Sequence, residues 1–296
     1  MLYRCYAKIN LTLEVLGRRE DGYHDLASLL HTISLADDLR LEPADQLLIH
    51  VEGLDIEPET NLVSRAARLL ASATGARAGA ELTLVKRIPT AAGLGGGSSD
   101  AAATLVGLNA LWGTGLGTAD LTRLAGELGS DVPFFVRGGA ALLLGRGDKL
   151  TQLQALTQWL IVVVPPHAIE DKTRRLYAAL NTADFTDGQT TAFALERIGR
   201  RLPVLEDHMV NGFERAAREA FPNLSDMWAQ VERAAGRRFF LSGAGPALFA
   251  LAQERGDALR LVPRLEQFGL LAFASRAVKH ARATIELAAG PPIGYP

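Results

Sequence analysis

Pro89-Thr90-Ala91-Ala92-Gly93-Leu94-Gly95-Gly96-Gly97-Ser98-Ser99-Asp100-Ala101-Ala102-Ala103 decides how the chain is read. Four glycines give a backbone with little side-chain bulk, which another group can approach closely. Ser98, Ser99 and Asp100 are residue types that start helices, and Ala101, Ala102, Leu105, Leu108 and Leu111 follow at helical spacing. Glu81-Leu82-Thr83-Leu84-Val85-Lys86 before the loop reads as a strand. Strand, glycine loop and helix start together form an anion site, because free N–H groups and the positive end of the helix dipole face the loop. The loop is not a Walker A loop, since no lysine follows Gly97. Ser98 stands where a dinucleotide fingerprint needs its third glycine, and the later His-Arg-Asp and Asp-Phe-Gly of protein kinases are absent.

Outward from the loop, the 296 residues suffice for one large domain or two ordinary ones, with a composition shift near 150–158. Apolar content of 48%, 22% charged residues and a net charge of -2 describe a globular chain without the basic surplus of a nucleic-acid binder. Polyphosphate must then be held by local geometry. The lone Cys5 excludes an internal disulfide and any multi-cysteine metal site. No secretory pattern opens the chain, and the longest apolar run, Trp159 to Pro166, is too short to span a bilayer, so a cytoplasmic location is expected.

Near the N-terminus Ile9, Leu11, Leu13 and Val15 alternate with polar residues, which predicts a half-buried strand with Lys8 and Asn10 on its other face. A charged turn, Gly17 to His24, ends in Tyr23-His24, a pair suited to stacking on a flat heterocycle or to plain surface exposure. Helices are expected over Asn61–Ala73, Thr118–Leu128 with Thr118 as N-cap, Glu170–Leu180, Arg215–Ala220, Leu224–Ala235 and Glu254–Phe268. Asp131 in Gly129-Ser130-Asp131-Val132-Pro133-Phe134-Phe135 suits an N-cap or a catalytic carboxylate. Trp159–Val164 reads as a central strand buried on both faces, and residues 181–191 read as a polar loop. Ser242-Gly243-Ala244-Gly245-Pro246 is a second small-residue loop, either a tight hairpin or a partner of the first loop, and Gly290–Pro296 reads as a loose tail.

Four stretches now stand in order: Ala7-Lys8-Ile9-Asn10-Leu11 with Asp21-Gly22-Tyr23-His24, the loop Pro89–Ala103, Gly129–Phe135, and Leu241–Pro246. Together they resemble the GHMP kinase superfamily, and within it the branch that acts on 4-diphosphocytidyl-2-C-methyl-D-erythritol in the non-mevalonate route to isoprenoids. The resemblance implies an α/β (α+β) two-domain fold: a ribosomal-protein-S5-domain-2-like, ATP-binding N-terminal domain over 1–155 and a ferredoxin-like α+β domain over 156–296. It implies Lys8 and Asp131 as the catalytic pair, Pro89 through Ser99 as the ATP phosphate loop, and Asn10, Tyr23, His24 and Tyr177 on the substrate side. ATP is the implied co-substrate, and Mg²⁺ is expected on chemical grounds with no residue assigned as its ligand beyond Ser98 and Ser99 as candidates. A monomer or weak homodimer is expected, with no nucleic-acid or membrane partner. Gly212 stands where relatives usually carry Asp, and Ala244 where they carry Ser or Thr. The alternatives are another kinase of the superfamily, acting on a mevalonate- or homoserine-like alcohol, and a nucleotide-binding sensor without catalysis.

Overall fold

The computed structural model describes residues 1–53, 61–76, 79–166 and 169–279. The tail Gly290–Pro296 lies outside them. The first half runs β1 (Leu2–Arg18), β2 (His24–Glu42), β3 (Leu47–Glu52), α1 (Leu62–Thr74), β4 (Ala80–Val85), α2 (Gly96–Leu111), α3 (Thr118–Leu128), α4 (Val132–Arg137), β5 (Ala140–Gly145) and β6 (Lys149–Leu153). The second half runs β7 (Trp159–Val164), α5 (Lys172–Ala179), α6 (Gln189–Gly199), β8 (Val210–Asn211), α7 (Glu214–Ala220), α8 (Leu224–Ala235), β9 (Phe240–Leu241), β10 (Leu248–Ala252), α9 (Arg255–Glu266) and β11 (Leu271–Arg276).

The larger sheet has the order β3-β4-β2-β1-β8, with β5 and β6 continuing from the other half of β2. The long strand β2 makes this branching possible: Leu26–His31 pair with β5, and Asp38–Glu42 pair with β4. The smaller sheet, β11-β7-β10-β9, is antiparallel among its neighbours and has β7 inside it. Every residue from Leu160 to Val164 is buried, as a β-branched run without polar interruption requires.

β1 departs from the half-buried strand expected of its alternation, because both of its faces are covered. Its pairing with β2 shifts register between Tyr6 and Ala7, where Ser34 and Leu35 of β2 have no pairing partner in β1. Tyr3 and Cys5 pack with Leu105 and Leu108 under α2, while Ala7, Ile9 and Leu11 pack with Val162 and Phe249 of the second sheet. Lys8 and Asn10, in the opposite phase, point where the glycine loop crosses β1. Helix α6, absent from the expectation for this region, covers β1 through Thr191, whose N–H donates to Glu14 Oε2 at 2.7 Å and whose hydroxyl bonds Thr12 Oγ1 at 2.9 Å.

Candidate active site

The loop after β4 is held at points between its glycines. Ile88, Ala92 and Leu94 are buried in the core between the sheets, and Lys8 N–H donates to Leu94 O at 2.8 Å. Ala91, Gly93 and Gly95 take φ of 53°, 88° and 72°. A Cβ on Gly95 would stand 2.8 Å from Phe135 Cζ and 3.0 Å from Lys8 Cγ, so the loop lies directly on the Lys8 stem. The helix begins at Gly96 with Gly95 as its cap, two residues earlier than the serines suggest. Its first internal bond, Ser99 N to Gly95 O at 2.9 Å, leaves the N–H groups of Gly96, Gly97 and Ser98 at the open end. Residues Pro89 through Ser98 line one cavity of about 560 Å³. Ser99 does not; it is buried against Arg4, Cys5 and Tyr6.

Lys8, Asn10 and Asp131 line the same cavity. Lys8 Nζ donates to Asn10 Oδ1 at 2.7 Å, and Asn10 Nδ2 donates to Ser28 Oγ at 2.8 Å. Ser28 Oγ donates in turn to Thr12 O at 2.6 Å, so the amine is aimed by a chain of buried bonds. Its other neighbour is Asp131 Oδ2 at 3.7 Å. Burial pulls the Lys8 ammonium below its ordinary range, and the Asp131 charge opposes that shift. Asp131 occupies the cap position of α4 but makes no side-chain cap bond, which leaves its carboxylate turned to the cavity and 37% exposed.

Beneath the loop lies a second ionic group. Lys86 Nζ donates to Asp37 Oδ2 at 2.5 Å and to Asp100 Oδ2 at 2.6 Å. Asp37 also accepts from the N–H groups of Arg87 and Ile88, whereas Asp100 Oδ1 is buried without a partner. One ammonium against two carboxylates leaves a surplus negative charge in a dry place. Burial accordingly pushes the Asp100 carboxyl up to about 7, against the pull of Lys86. The two carboxylates hold the Lys86 ammonium above its ordinary value despite burial. The group fixes the exit of β4 to the first turn of α2, and so the width of the loop between them.

The second small-residue loop is both things its sequence allows. β9 and β10 form a hairpin around it, and its backbone meets the first loop: Ser242 Oγ donates to Gly93 O at 3.1 Å and Ala247 N–H to Ala92 O at 3.0 Å. Asn211 positions it, donating from Nδ2 to Leu241 O and Gly243 O, both at 2.9 Å. Lys172, at the first turn of α5, donates to Ala91 O and to Gly245 O, one carbonyl from each loop.

Tyr23, His24 and Tyr177 share a neighbouring cavity of about 900 Å³ with Arg18, Arg146, Lys172 and Arg174. The His24 and Tyr177 rings stack on each other, centroids 5.1 Å apart and planes at 25°. That spacing leaves no room for a third ring between them. Tyr23 is 58% exposed, with the Arg146 guanidinium 4.8 Å above its ring. Burial and the charge of Arg18 lower the pKa of His24, which favours the neutral imidazole. Tyr177 and Lys172 line both cavities and mark their junction.

Comparison with known proteins decides the family. The model for the GHMP kinases N terminal domain matches residues 61–139, and that for the GHMP kinases C terminal domain matches residues 191–270. The 4-diphosphocytidyl-2-C-methyl-D-erythritol kinase of Dehalococcoides mccartyi is 42% identical over 269 residues, 90% of this chain and 94% of that protein. The chain belongs to the GHMP kinase family, among its 4-diphosphocytidyl-2-C-methyl-D-erythritol kinases. The enzyme of that name from Pelotomaculum thermopropionicum is 40% identical over 87% of this chain and 91% of its own. A crystal structure of 4-(cytidine 5'-diphospho)-2C-methyl-D-erythritol kinase superposes with a TM-score of 0.81 at 36% identity, covering 94% of this chain and all of that one. Homoserine kinase from Cytophaga hutchinsonii, at 17% identity and a TM-score of 0.71, shares the fold.

As a GHMP kinase the chain also shows what its sequence hides. Lys172 follows Glu170 and Asp171 and looks like any solvated helix-start lysine; only the fold brings it to both loops. Lys86, Asp37 and Asp100 lie 14 and 49 residues apart, and no local pattern links them. Gly212, where relatives usually carry Asp, is packed against β1: a Cβ there would stand 3.1 Å from Val15 Cγ2.

Proposed function

We infer that the protein transfers the γ-phosphoryl group of ATP to the 2-hydroxyl of 4-diphosphocytidyl-2-C-methyl-D-erythritol. The observation that carries this reading is the approach of Lys8 and Asp131 to 3.7 Å on the wall of the glycine-loop cavity, next to an aromatic cavity edged with cations. An acceptor with a base at one end, an alcohol at the other and a diphosphate between needs that sequence of surfaces.

In this mechanism the loop Pro89–Ser98 and the free N–H groups of the α2 start hold the β- and γ-phosphates. Asp131 accepts the proton of the 2-hydroxyl as its oxygen bonds to the γ-phosphorus, and the bond from that phosphorus to the β,γ-bridging oxygen breaks to release ADP. Lys8, aimed by Asn10, orients Asp131 and steadies charge gathering on the phosphoryl oxygens. His24 hydrogen-bonds the edge of the cytosine, while Tyr23 and Tyr177 offer ring faces. Among the described residues no group of three His, Cys, Asp or Glu side chains stands together to hold a metal ion. The Ser98 hydroxyl in the cavity wall would be the protein's ligand to a Mg²⁺ carried in with ATP. When bound, the ion neutralises charge on the β- and γ-phosphates. The reading carries with it a cytoplasmic location and a monomer or weak homodimer.

A coupled ADP-release assay with Mg²⁺ tests it. ADP should appear with 4-diphosphocytidyl-2-C-methyl-D-erythritol and not with mevalonate, homoserine or the free methylerythritol phosphate. Equal turnover with mevalonate or homoserine would assign the chain to another acceptor. ATP binding without turnover on any of these alcohols would leave a nucleotide sensor.

A further inference from the structure

We propose that Lys172 is a phosphoryl-contact residue, its ammonium donating to an oxygen of the γ-phosphoryl group held between the glycine loop and the Lys8–Asp131 pair; this rests on the kinase reading above. The side chain enters from α5, in the second half of the chain, and reaches the cavity where Lys8, Asp131 and the glycine loop meet Gly243 and Ala244 of the facing loop. It donates to Ala91 O, where the loop backbone is left-handed at φ 53°, and to Gly245 O of the facing loop. An ammonium has three N–H donors, so two carbonyls leave one for a ligand. Lys172 lines the loop cavity and also the aromatic cavity.

The charge arrangement calls for an anion at this place. The Lys8 charge bears on Lys172, and Asp131 offsets it only in part. Burial first, and then the Lys8 charge, lower the Lys172 pKa to about 8. The other charged groups of the two cavities are paired or cationic: Asp100 is bound by Lys86, Asp171 by Arg174, and Arg146 adds a further positive charge, while Tyr177 is neutral. A phosphoryl dianion between the two ammonium groups removes the repulsion and keeps both protonated. Because both bonds to the protein are made to neutral carbonyls, Lys172 can hold its place while its charge is spent on the ligand.

Titration calorimetry with Mg²⁺ separates a contact to the γ-phosphoryl from a mere tie between loops. The ligands are ADP and the non-hydrolysable β,γ-imido analogue of ATP, and no acceptor is needed. Lys172→Met should weaken the triphosphate analogue about 10- to 100-fold and ADP by less than about twofold, with Lys172→Arg between Lys172→Met and wild type. For wild type, the preference for triphosphate over diphosphate should fall as pH rises through 8, and in Lys172→Arg that fall should move to higher pH. Equal weakening of both ligands would make Lys172 a loop clamp only, and no weakening of either would remove it from the site. Both results overturn the proposal. An acceptor other than the one named above leaves the titration unaffected, so a failure of that assignment is told apart from a failure here. A wild-type protein that binds neither nucleotide overturns the proposal together with the kinase reading.

Discussion

Gly93→Ala tests how the two small-residue loops are joined. Gly93 sits at φ +88°, where an L side chain costs about 1–2 kcal/mol. Its new Cβ would stand 2.2 Å from Ser242 O and 3.0 Å from Gly245 N, both backbone atoms that cannot swing aside. Ordinary contacts lie near 3.5 Å, so the loops must part by roughly 1 Å. The bonds from Ser242 Oγ to Gly93 O and from Ala247 N–H to Ala92 O then lengthen beyond use, at about 1 kcal/mol each. The total is about 3–4 kcal/mol, or roughly 6–8 °C in Tm for a chain of this size. Gly115→Ala is the matched control: its φ is +72° but nothing lies within 4 Å, so it carries the backbone strain alone, about 1–2 kcal/mol. Calorimetric unfolding compares the two, and the KM for ATP should rise at least about tenfold only in Gly93→Ala. Equal losses of Tm in both variants, with the KM for ATP unchanged, would refute the loop-to-loop contact as the cause.

Lys86→Met leaves Asp37 and Asp100 buried and facing without their cation, and should cost about 3–5 kcal/mol in urea unfolding. Adding Asp100→Asn should restore at least half of that; no recovery would mean that charge is not the cause. His31 is buried, accepts from Leu156 N–H at Nε2 and is held neutral, its pKa pushed down to about 4. The unfolded chain therefore binds the extra proton first, and about 3 kcal/mol of stability present above pH 6.5 should drain away as pH falls towards 4. His31→Gln should lower stability at neutral pH and flatten that acid slope; an unchanged slope would assign it to other groups. Tyr177→Ala removes one face of the stacked pair and should raise the KM for the cytidine-bearing acceptor about tenfold with the KM for ATP within twofold. An equal rise for both substrates would point to a general loosening of α5.

The fold was legible where residue pattern and burial coincide. The β-branched run of β7 reads as a central strand from its sequence alone, and the loop before α2 reads as an anion cradle because its glycines and helix starters are contiguous. β1 was half legible: its alternation is plain, but the glycine loop laid across it and the cover from α6 are tertiary facts, and they turn an exposed lysine into a buried one. Helix α6 itself was missed, since Gln189-Thr190-Thr191 reads as the end of a polar loop. The serines after the glycines were misleading, because the backbone enters the helix at Gly96 and needs no hydroxyl cap. Lys8 and Asp131 could be named only through resemblance; nothing in either local sequence says that a strand lysine and a helix-cap aspartate meet. Lys172 could not be named at all, because its meaning lies in two carbonyls distant in sequence.

Asp131, proposed as the general base, is the residue whose loss bears most directly on the chemical step. Single-turnover transfer from radiolabelled ATP to 4-diphosphocytidyl-2-C-methyl-D-erythritol, quenched rapidly at saturating substrates, isolates the chemical step in wild type and in Asp131→Asn. The amide keeps the shape beside Lys8 and loses the basic oxygen. Loss of the base should slow transfer about 10²–10⁴-fold, with Tm and both KM values nearly unchanged. Transfer within about fivefold of wild type would contradict the account.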